Sequence, residues 1–408
     1  MRRVVVTGMG GISALGGTWA EVEGKMRAGK TATRYIEEWD RLTDLTCKVG
    51  APADWFSHEG FYPRQKIRSM GRVSVMAVHA CEKALTQAGL LDDPLLSSGR
   101  VGVACGSSFG STPPIKDFVT FLDTGKAGAL NATSYIRMMS HTTPVNISVA
   151  FGLTGRVITT SSACTSGSQG VGYGFETIRD GRADVMITGG SEEFCPTMAV
   201  VFDRLYATST NGNEAPAQAC RPFDSKRDGL VIGEGSAMLI LEEREHALAR
   251  GATPLAEVVG FATNADGAHI SHPKQETQSF VMREALAGAG IDAGALGFIN
   301  GHGTATVAGD VVESHATAAV YGENVPFNTL KGHFGHSLGA CGALEAWLGI
   351  EMMRAGWAAP IANFVEADPR CATLDYIGAG GRRIDAGYFA SNNFAFGGIN
   401  TSLVFARV

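Results

Sequence analysis

The chain has no C-x-x-C pair, no apolar run of membrane-spanning length and no excess of basic charge. Each absence removes a class of function. Its eight cysteines (47, 81, 105, 164, 195, 220, 341 and 371) are scattered through apolar stretches, which argues against a disulfide framework or zinc ribbon. They read as reduced thiols of a cytoplasmic protein, seven of them core filler. A net charge of −6 gives no general attraction for nucleic acid or an anionic membrane, so an acidic protein partner has to meet a local basic patch. After Met1-Arg2-Arg3 only Val4 to Val6 are strongly apolar before Thr7-Gly8, too short for a signal-peptide core. What remains is a large soluble chain of 408 residues, 45% hydrophobic and 18% charged, with core enough for more than one ordinary domain length.

Glycine, in contrast, is abundant. The 53 glycines each cost order unless they supply a turn or a close backbone approach, and a large α/β enzyme with tight site loops would use them. Short β-branched runs alternate with helical patterns: Arg3–Thr7, a helix over Met70–Ala88, Val101–Ala104, a helix after Cys164, and Asp184–Thr188. Gly89 and Gly181 fall where helix-ending glycines belong. A second half opens with Leu255–Phe261 and continues with helices over Gln278–Ala287 and Asp310–Val320 and a helix ending at Arg354. The boundary near residue 253 divides the chain into 1–253 and 254–408, with similar grammar but only faint residue-level repetition.

Three segments carry chemistry. Cys164 lies in Thr160-Ser161-Ser162-Ala163-Cys164-Thr165-Ser166-Gly167, where small residues predict a sharp turn into a helix. Unpaired backbone N–H groups and the helix dipole there would lower the thiol pKa. His302 sits in Gly301-His302-Gly303-Thr304-Ala305-Thr306, and Lys331 and His336 in Lys331-Gly332-His333-Phe334-Gly335-His336. An isolated buried cysteine is ordinarily inert, and a core histidine is ordinarily just hydrogen-bonded; together, one thiol and two histidines are the minimum for acyl transfer followed by carbon–carbon bond formation.

These segments resemble the β-ketoacyl-[acyl-carrier-protein] synthases of the elongating Cys-His-His kind, in the thiolase superfamily. So do Val4-Val5-Val6-Thr7-Gly8-Met9-Gly10, Arg221-Pro222-Phe223-Asp224 with Arg227-Asp228-Gly229, Gly233-Glu234-Gly235, and Ser391-Asn392-Asn393-Phe394-Ala395-Phe396-Gly397-Gly398. The resemblance spans the chain and implies an α/β thiolase-like fold of duplicated halves in five α-β-α-β-α layers. It implies that Cys164 takes an acyl group from a carrier-protein thioester, with the N–H groups of Cys164 and Phe396 as oxyanion hole. His302 and His336 would stabilise the enolate left when a malonyl thioester loses CO₂. A buried Lys331–Glu313 pair would hold His302, and Thr304, Thr306 and, more weakly, Ser271 would contact the phosphopantetheine arm. Phe109, Phe202 and Phe394 would line the substrate space. Arg64, Lys66, Arg68 and Arg72, with Arg137 more loosely aligned, would dock the acidic acyl carrier protein; the plain alternative is a solvated helix face. A homodimer is implied on the same basis.

Two His-x-x-His spacings, 269/272 and 333/336, lack a further ligand at suitable spacing, so no metal is assigned. Gly8-Met9-Gly10 lacks the third glycine of a dinucleotide fingerprint, so no nucleotide cofactor is assigned. Phe109 stands where relatives that accept long chains have a smaller residue. Excluding four methylenes at about 0.8 kcal/mol each would remove about 3 kcal/mol, enough to select for shorter chains. Ala395 and Ile399 also replace the usual glycine and threonine of the closing loop. These departures keep open a ketosynthase of a type II polyketide or aryl-polyene-like pathway, with a chain-length partner subunit in a heterodimer. A silent partner subunit is disfavoured by the presence of Cys164, a degradative thiolase by the settings of Cys341 and Cys371, and a starter-type Cys-His-Asn synthase by His336.

Overall fold

The computed structural model describes residues 1–57 and 61–408. Its main strands are β1 (Val4–Ser13), β2 (Val101–Gly106), β3 (Val157–Thr159), β4 (Val185–Glu192), β5 (Gly235–Glu243), β6 (Ala256–Ala265), β7 (Leu296–Asn300), β8 (Pro326–Asn328), β9 (Asp375–Tyr376), β10 (Tyr388–Ala395) and β11 (Ile399–Ala406). They form one continuous hydrogen-bonded array in the order β9-β8-β7-β10-β11-β6-β1-β5-β4-β2-β3. The two halves meet where β1 pairs with β6, over Val4–Val6 alone.

Pairing directions expose the duplication that residue identity hides. In the first half β1, β5 and β4 pair antiparallel, then β4, β2 and β3 pair parallel. In the second half β6, β11 and β10 pair antiparallel, then β10, β7 and β8 pair parallel. Chain order and spatial order therefore repeat over five strands of each half, with β9 added at the outer edge of the second.

Helices α1 (Arg72–Ala88) and α2 (Thr142–Phe151) cover the outer face of the first half, and α4 (Gln275–Ala289) and α5 (Val307–Tyr321) cover that of the second. Between the halves lie α3 (Ser166–Arg179) and α6 (Cys341–Ala355), which touch both sheet regions and each other. This is the α/β five-layer arrangement. Helices in the middle layer have no water to face: twelve of the fifteen residues of α6 are buried. Gly8 and Gly10 have a packing explanation here. A Cβ on them would stand 2.1 Å from the Ala84 carbonyl oxygen and 2.2 Å from that of Ala80, so their bareness lets α1 lie directly on β1.

Candidate active site

Each of the three site loops contains a non-glycine residue in the left-handed region: Ala163 (φ 51°) before Cys164, Ala305 (φ 68°) after His302, and Leu338 (φ 43°) after His336. Such strain costs about 1–3 kcal/mol per residue and persists only where surrounding bonds over-determine it. They do so here. The Ala163 carbonyl accepts the Ser166 hydroxyl at 2.7 Å, the Ala305 N–H donates to Asp310 at 3.1 Å, and the Leu338 N–H donates to His336 Nδ1 at 3.2 Å. Asp310 is itself held by Arg227, 3.3 Å away, which also pairs with Asp368 at 2.5 Å; the Arg227-Asp228-Gly229 motif is thus a brace under the His302 loop.

The loops converge. Cys164 Sγ lies 3.0 Å from His336 Nε2, and one ligating atom from each of Cys164, His302 and His336 falls within 4.8 Å of the others, all three residues buried. The imidazoles cross edge to face at 5.1 Å. His336 Nδ1 accepts the Leu338 N–H, and His302 Nδ1 faces the Asn393 amide nitrogen at 3.3 Å. Both rings are therefore left with their proton on Nε2. Burial, then the charge of Lys331, holds both histidines well below their ordinary pKa, so both are neutral N–H donors.

The thiol behaves differently from the sequence expectation. Burial pushes Cys164 up to about 11, although the Phe396 N–H, Lys331 and its own N–H all favour the thiolate. A helix start alone does not outweigh burial of the thiol at the inner end of the site. The same N–H groups of Phe396 and Cys164 that face the sulfur form a two-donor nest beside it. Alkylation of Cys164 by iodoacetamide should therefore accelerate about tenfold per pH unit from pH 7 to pH 10, because thiolate is the reactive form. A plateau above pH 8 would contradict the burial argument.

Lys331 does not pair with Glu313. Its ammonium forms an ion pair with Glu345 on α6 and donates to the His302 carbonyl at 2.7 Å, all three residues buried. Glu313 instead accepts the His302 N–H at 2.6 Å and the Gly303 N–H at 2.7 Å, and burial raises it to about 8. The reason is geometric: two backbone donors at the tight His302 turn already occupy both Glu313 oxygens. Asn393 donates to Glu345 at 2.6 Å, which completes a chain Lys331–Glu345–Asn393–His302. Sequence reasoning missed Glu345 and the role of Asn393. No local signal marked Glu345, since the same helix also carries Glu351 and Arg354.

A cavity of about 400 Å³ runs from Cys164, His302 and His336 to the surface. Phe202, Phe394 and Phe396 line it, as do Thr304 and Thr306, whose hydroxyls are 2.9 Å apart, and Ser271 at its mouth. Phe202 crosses Phe396 edge to face at 6.0 Å. Phe109 is not among the lining residues; it is 41% exposed on the surface of the single chain. His269 and His272 face each other at the mouth, Nδ1 to Nδ1 at 2.8 Å, whereas His333 points inward to the Pro360 carbonyl at 2.8 Å. The closing loop is tied to the mouth, since the Gly397 N–H donates to the Ile270 carbonyl at 2.8 Å.

Arg64, Lys66 and Arg68 are exposed, and none has an ion pair with a described residue. Arg72 is different. Its guanidinium lies against the buried Glu234 (2.6 and 2.9 Å) and the Ala53 and Phe56 carbonyls (3.2 Å each), so it is the counter-charge of Gly233-Glu234-Gly235 while still lining, partly exposed, the same surface depression as Arg64 and Arg68. Arg137 donates to the Arg68 carbonyl at 2.6 Å and shares a surface depression with Arg64 and Arg68.

Residues 1–247 match the family "Beta-ketoacyl synthase, N-terminal domain", and residues 255–365 match "Beta-ketoacyl synthase, C-terminal domain". The chain belongs to the β-ketoacyl synthase family. It is 33% identical, over the whole of both chains, to the 3-oxoacyl-[acyl-carrier-protein] synthase 1 of Escherichia coli K12. A crystal structure of a β-ketoacyl synthase from Burkholderia phymatum STM815 superposes with a TM-score of 0.98 at 53% identity, over all of both chains. The AntDE:AntF structure, a type II PKS acyl-carrier protein in complex with its ketosynthase bound to the hexaketide, superposes at 0.88 with 28% identity, again over all of both chains. The ketosynthase is thus an acyltransferase, and no helix among its described residues is long and apolar enough to cross a membrane.

Proposed function

We propose that this ketosynthase elongates an acyl chain held on Cys164 with malonyl-[acyl-carrier-protein], giving 3-oxoacyl-[acyl-carrier-protein] and CO₂. The observation that carries it is the pair of neutral Nε2–H donors beside a thiol that has its own two-donor nest. The thiol, passing its proton to the departing carrier thiolate, takes the acyl group; the tetrahedral oxyanion rests on the Cys164 and Phe396 N–H groups. Malonyl thioester then enters. His302 and His336 donate to its carbonyl oxygen as CO₂ leaves, and the resulting enolate carbon attacks the acyl thioester, returning the sulfur as the leaving group. Two neutral donors suit this step because they stabilise developing negative charge without a permanent cation that would bind bicarbonate or carboxylate in the resting site.

Thr304 and Thr306 are proposed to receive the phosphopantetheine amides along the cavity, with Ser271 at its mouth. Phe202 and Phe394 are proposed to shape the acyl space. Phe109 would join that space where a second chain covers it; Phe121, Leu122 and Tyr135 are also exposed on the single chain. A dimer, of two copies or with a chain-length partner, accounts for apolar exposure of that kind. A cytoplasmic location suits reduced thiols and a carrier-protein substrate. The polyketide reading remains the second, favoured by the ketosynthase–carrier complex above and by Phe109.

Carrier-protein docking is assigned to Arg64, Lys66 and Arg68. Reversing Arg68 to glutamate should raise KM for acyl carrier protein at least about tenfold and leave reaction with a small acyl-pantetheine thioester within twofold, because a rim charge acts on encounter rather than chemistry. Equal losses with both substrates would remove the patch from the docking surface.

A further inference from the structure

Where β4 ends, two consecutive buried carboxylates reach into neighbouring loops. Glu193 accepts the Ser111 hydroxyl at 2.7 Å and the Thr112 N–H at 2.8 Å. Glu192 does something else with one oxygen: its Oε2 accepts the Ser108 N–H at 2.8 Å and the Gly339 N–H at 3.0 Å. Ser108 precedes Phe109 in the 107–111 loop, and Gly339 lies in the turn Ser337–Ala340 directly after His336. A single atom therefore joins two loops that are otherwise distant in the chain.

The surroundings leave no slack for another arrangement. A Cβ on Gly339 would stand 2.5 Å from the Ser108 nitrogen, and one on Gly190 would stand 2.3 Å from the Gly339 carbonyl oxygen and 2.9 Å from Gly167 Cα at the start of α3. Three backbone segments thus touch without side chains between them, and Glu192 is the polar atom set at their junction. The turn it holds is strained, with Leu338 at φ 43°, and the Leu338 N–H is what fixes the tautomer of His336. A strained turn needs outside restraint to keep its geometry.

We propose that Glu192 is a positioning residue for the condensation step: by accepting Gly339 and Ser108 together, it holds the His336 turn in the form that aims Nε2–H into the site. It touches neither substrate nor the reacting atoms and acts through His336. The role requires an acceptor oxygen, not a charge. The other oxygen, Oε1, is buried without a hydrogen-bond partner, and burial raises the group to about 7, so the negative charge is poorly supported. The titratable groups that face it are Glu193 and Cys164.

The inference rests on the ketosynthase reading, and wild-type elongation run in parallel separates the two: if the wild type fails to elongate, that reading falls and not this one. Glu192→Gln keeps the acceptor and Glu192→Met keeps the volume without it. Acyl transfer to Cys164 and single-turnover condensation of the preloaded enzyme are measured separately for each, with thermal unfolding as the folding check. Met should slow condensation about a hundredfold, the cost of a misplaced group, while acyl transfer stays within fivefold. Gln should restore condensation to within about threefold of wild type, over pH 6–9. Condensation unimpaired in Met, or both steps lost equally in folded Met protein, overturns the proposal. Where Met does not fold, Gln decides alone: near-native condensation supports the acceptor role, and a loss in folded Gln protein overturns it.

Discussion

Replacing Lys331 by methionine should both destabilise the protein and disable condensation, whereas replacing Lys331 and Glu345 together by apolar residues should recover stability and not activity. The ammonium and the Glu345 carboxylate are both fully enclosed on facing parts of α6 and the loop before His336. Removing one partner strands the other as an uncompensated buried charge, at about 3–5 kcal/mol, while removing both removes the desolvation problem with them. Burial opposes the charge on Lys331, yet the Glu345 carboxylate paired with it more than offsets that and holds the ammonium above its ordinary pKa. Activity does not recover in the double variant because Lys331 also donates to the His302 carbonyl and Glu345 also holds Asn393 against the His302 ring. Denaturant unfolding and single-turnover condensation, measured on both variants, separate the two effects. A double variant no more stable than Lys331→Met would mean the pair is not the source of the loss.

His302 and His336 should not be equivalent. His336 Nε2 touches Cys164 Sγ, and His302 does not share that contact, being held instead through its backbone by Glu313 and Lys331. His302→Ala removes one enolate donor and should slow malonyl decarboxylation and condensation about a hundredfold, or about 3 kcal/mol. Acyl transfer onto Cys164 should remain within about fivefold, since the Cys164 and Phe396 N–H groups are untouched. His336→Ala should impair both steps. Rapid-quench mass spectrometry of the acyl-enzyme, beside release of labelled CO₂, reads each step directly. Equal loss of acylation in the two variants would refute the division of labour.

The sequence was most readable where local chemistry dictates geometry. Small residues before Cys164 called for a sharp turn into a helix, and the turn is there with Ala163 at φ 51° and α3 beginning at Ser166. Gly89 ends α1 in the left-handed conformation, as its position after an apolar periodic run required. What long-range packing decides was hidden. The ion partner of Lys331 lies fourteen residues on, in a helix whose burial on all sides erases amphipathic periodicity, so nothing local distinguishes Glu345 from a solvated charge. Arg72 reads as one more basic residue of a surface cluster, but Glu234, distant in sequence, is buried beside it and draws it inward. The duplication, faint in residue identity, is carried by strand pairing, because pairing direction tolerates any sequence that keeps the β-branched, two-sided burial of a middle layer. Phe109 is a different case: it lies on the exposed surface of the single chain, and a place in the substrate space would come only with a second chain over it.

The central claim is that Cys164 holds the acyl group and that malonyl carrier protein extends it by two carbons. It is tested by presenting the protein with carrier proteins bearing saturated and unsaturated chains from two to sixteen carbons, then adding malonyl carrier protein and following Cys164 acylation and product mass. The site predicts acylation at Cys164 and a 3-oxoacyl product two carbons longer, both absent in Cys164→Ala. Folded wild-type protein that no chain acylates, or that extends chains as well when Cys164 is alanine, would contradict it.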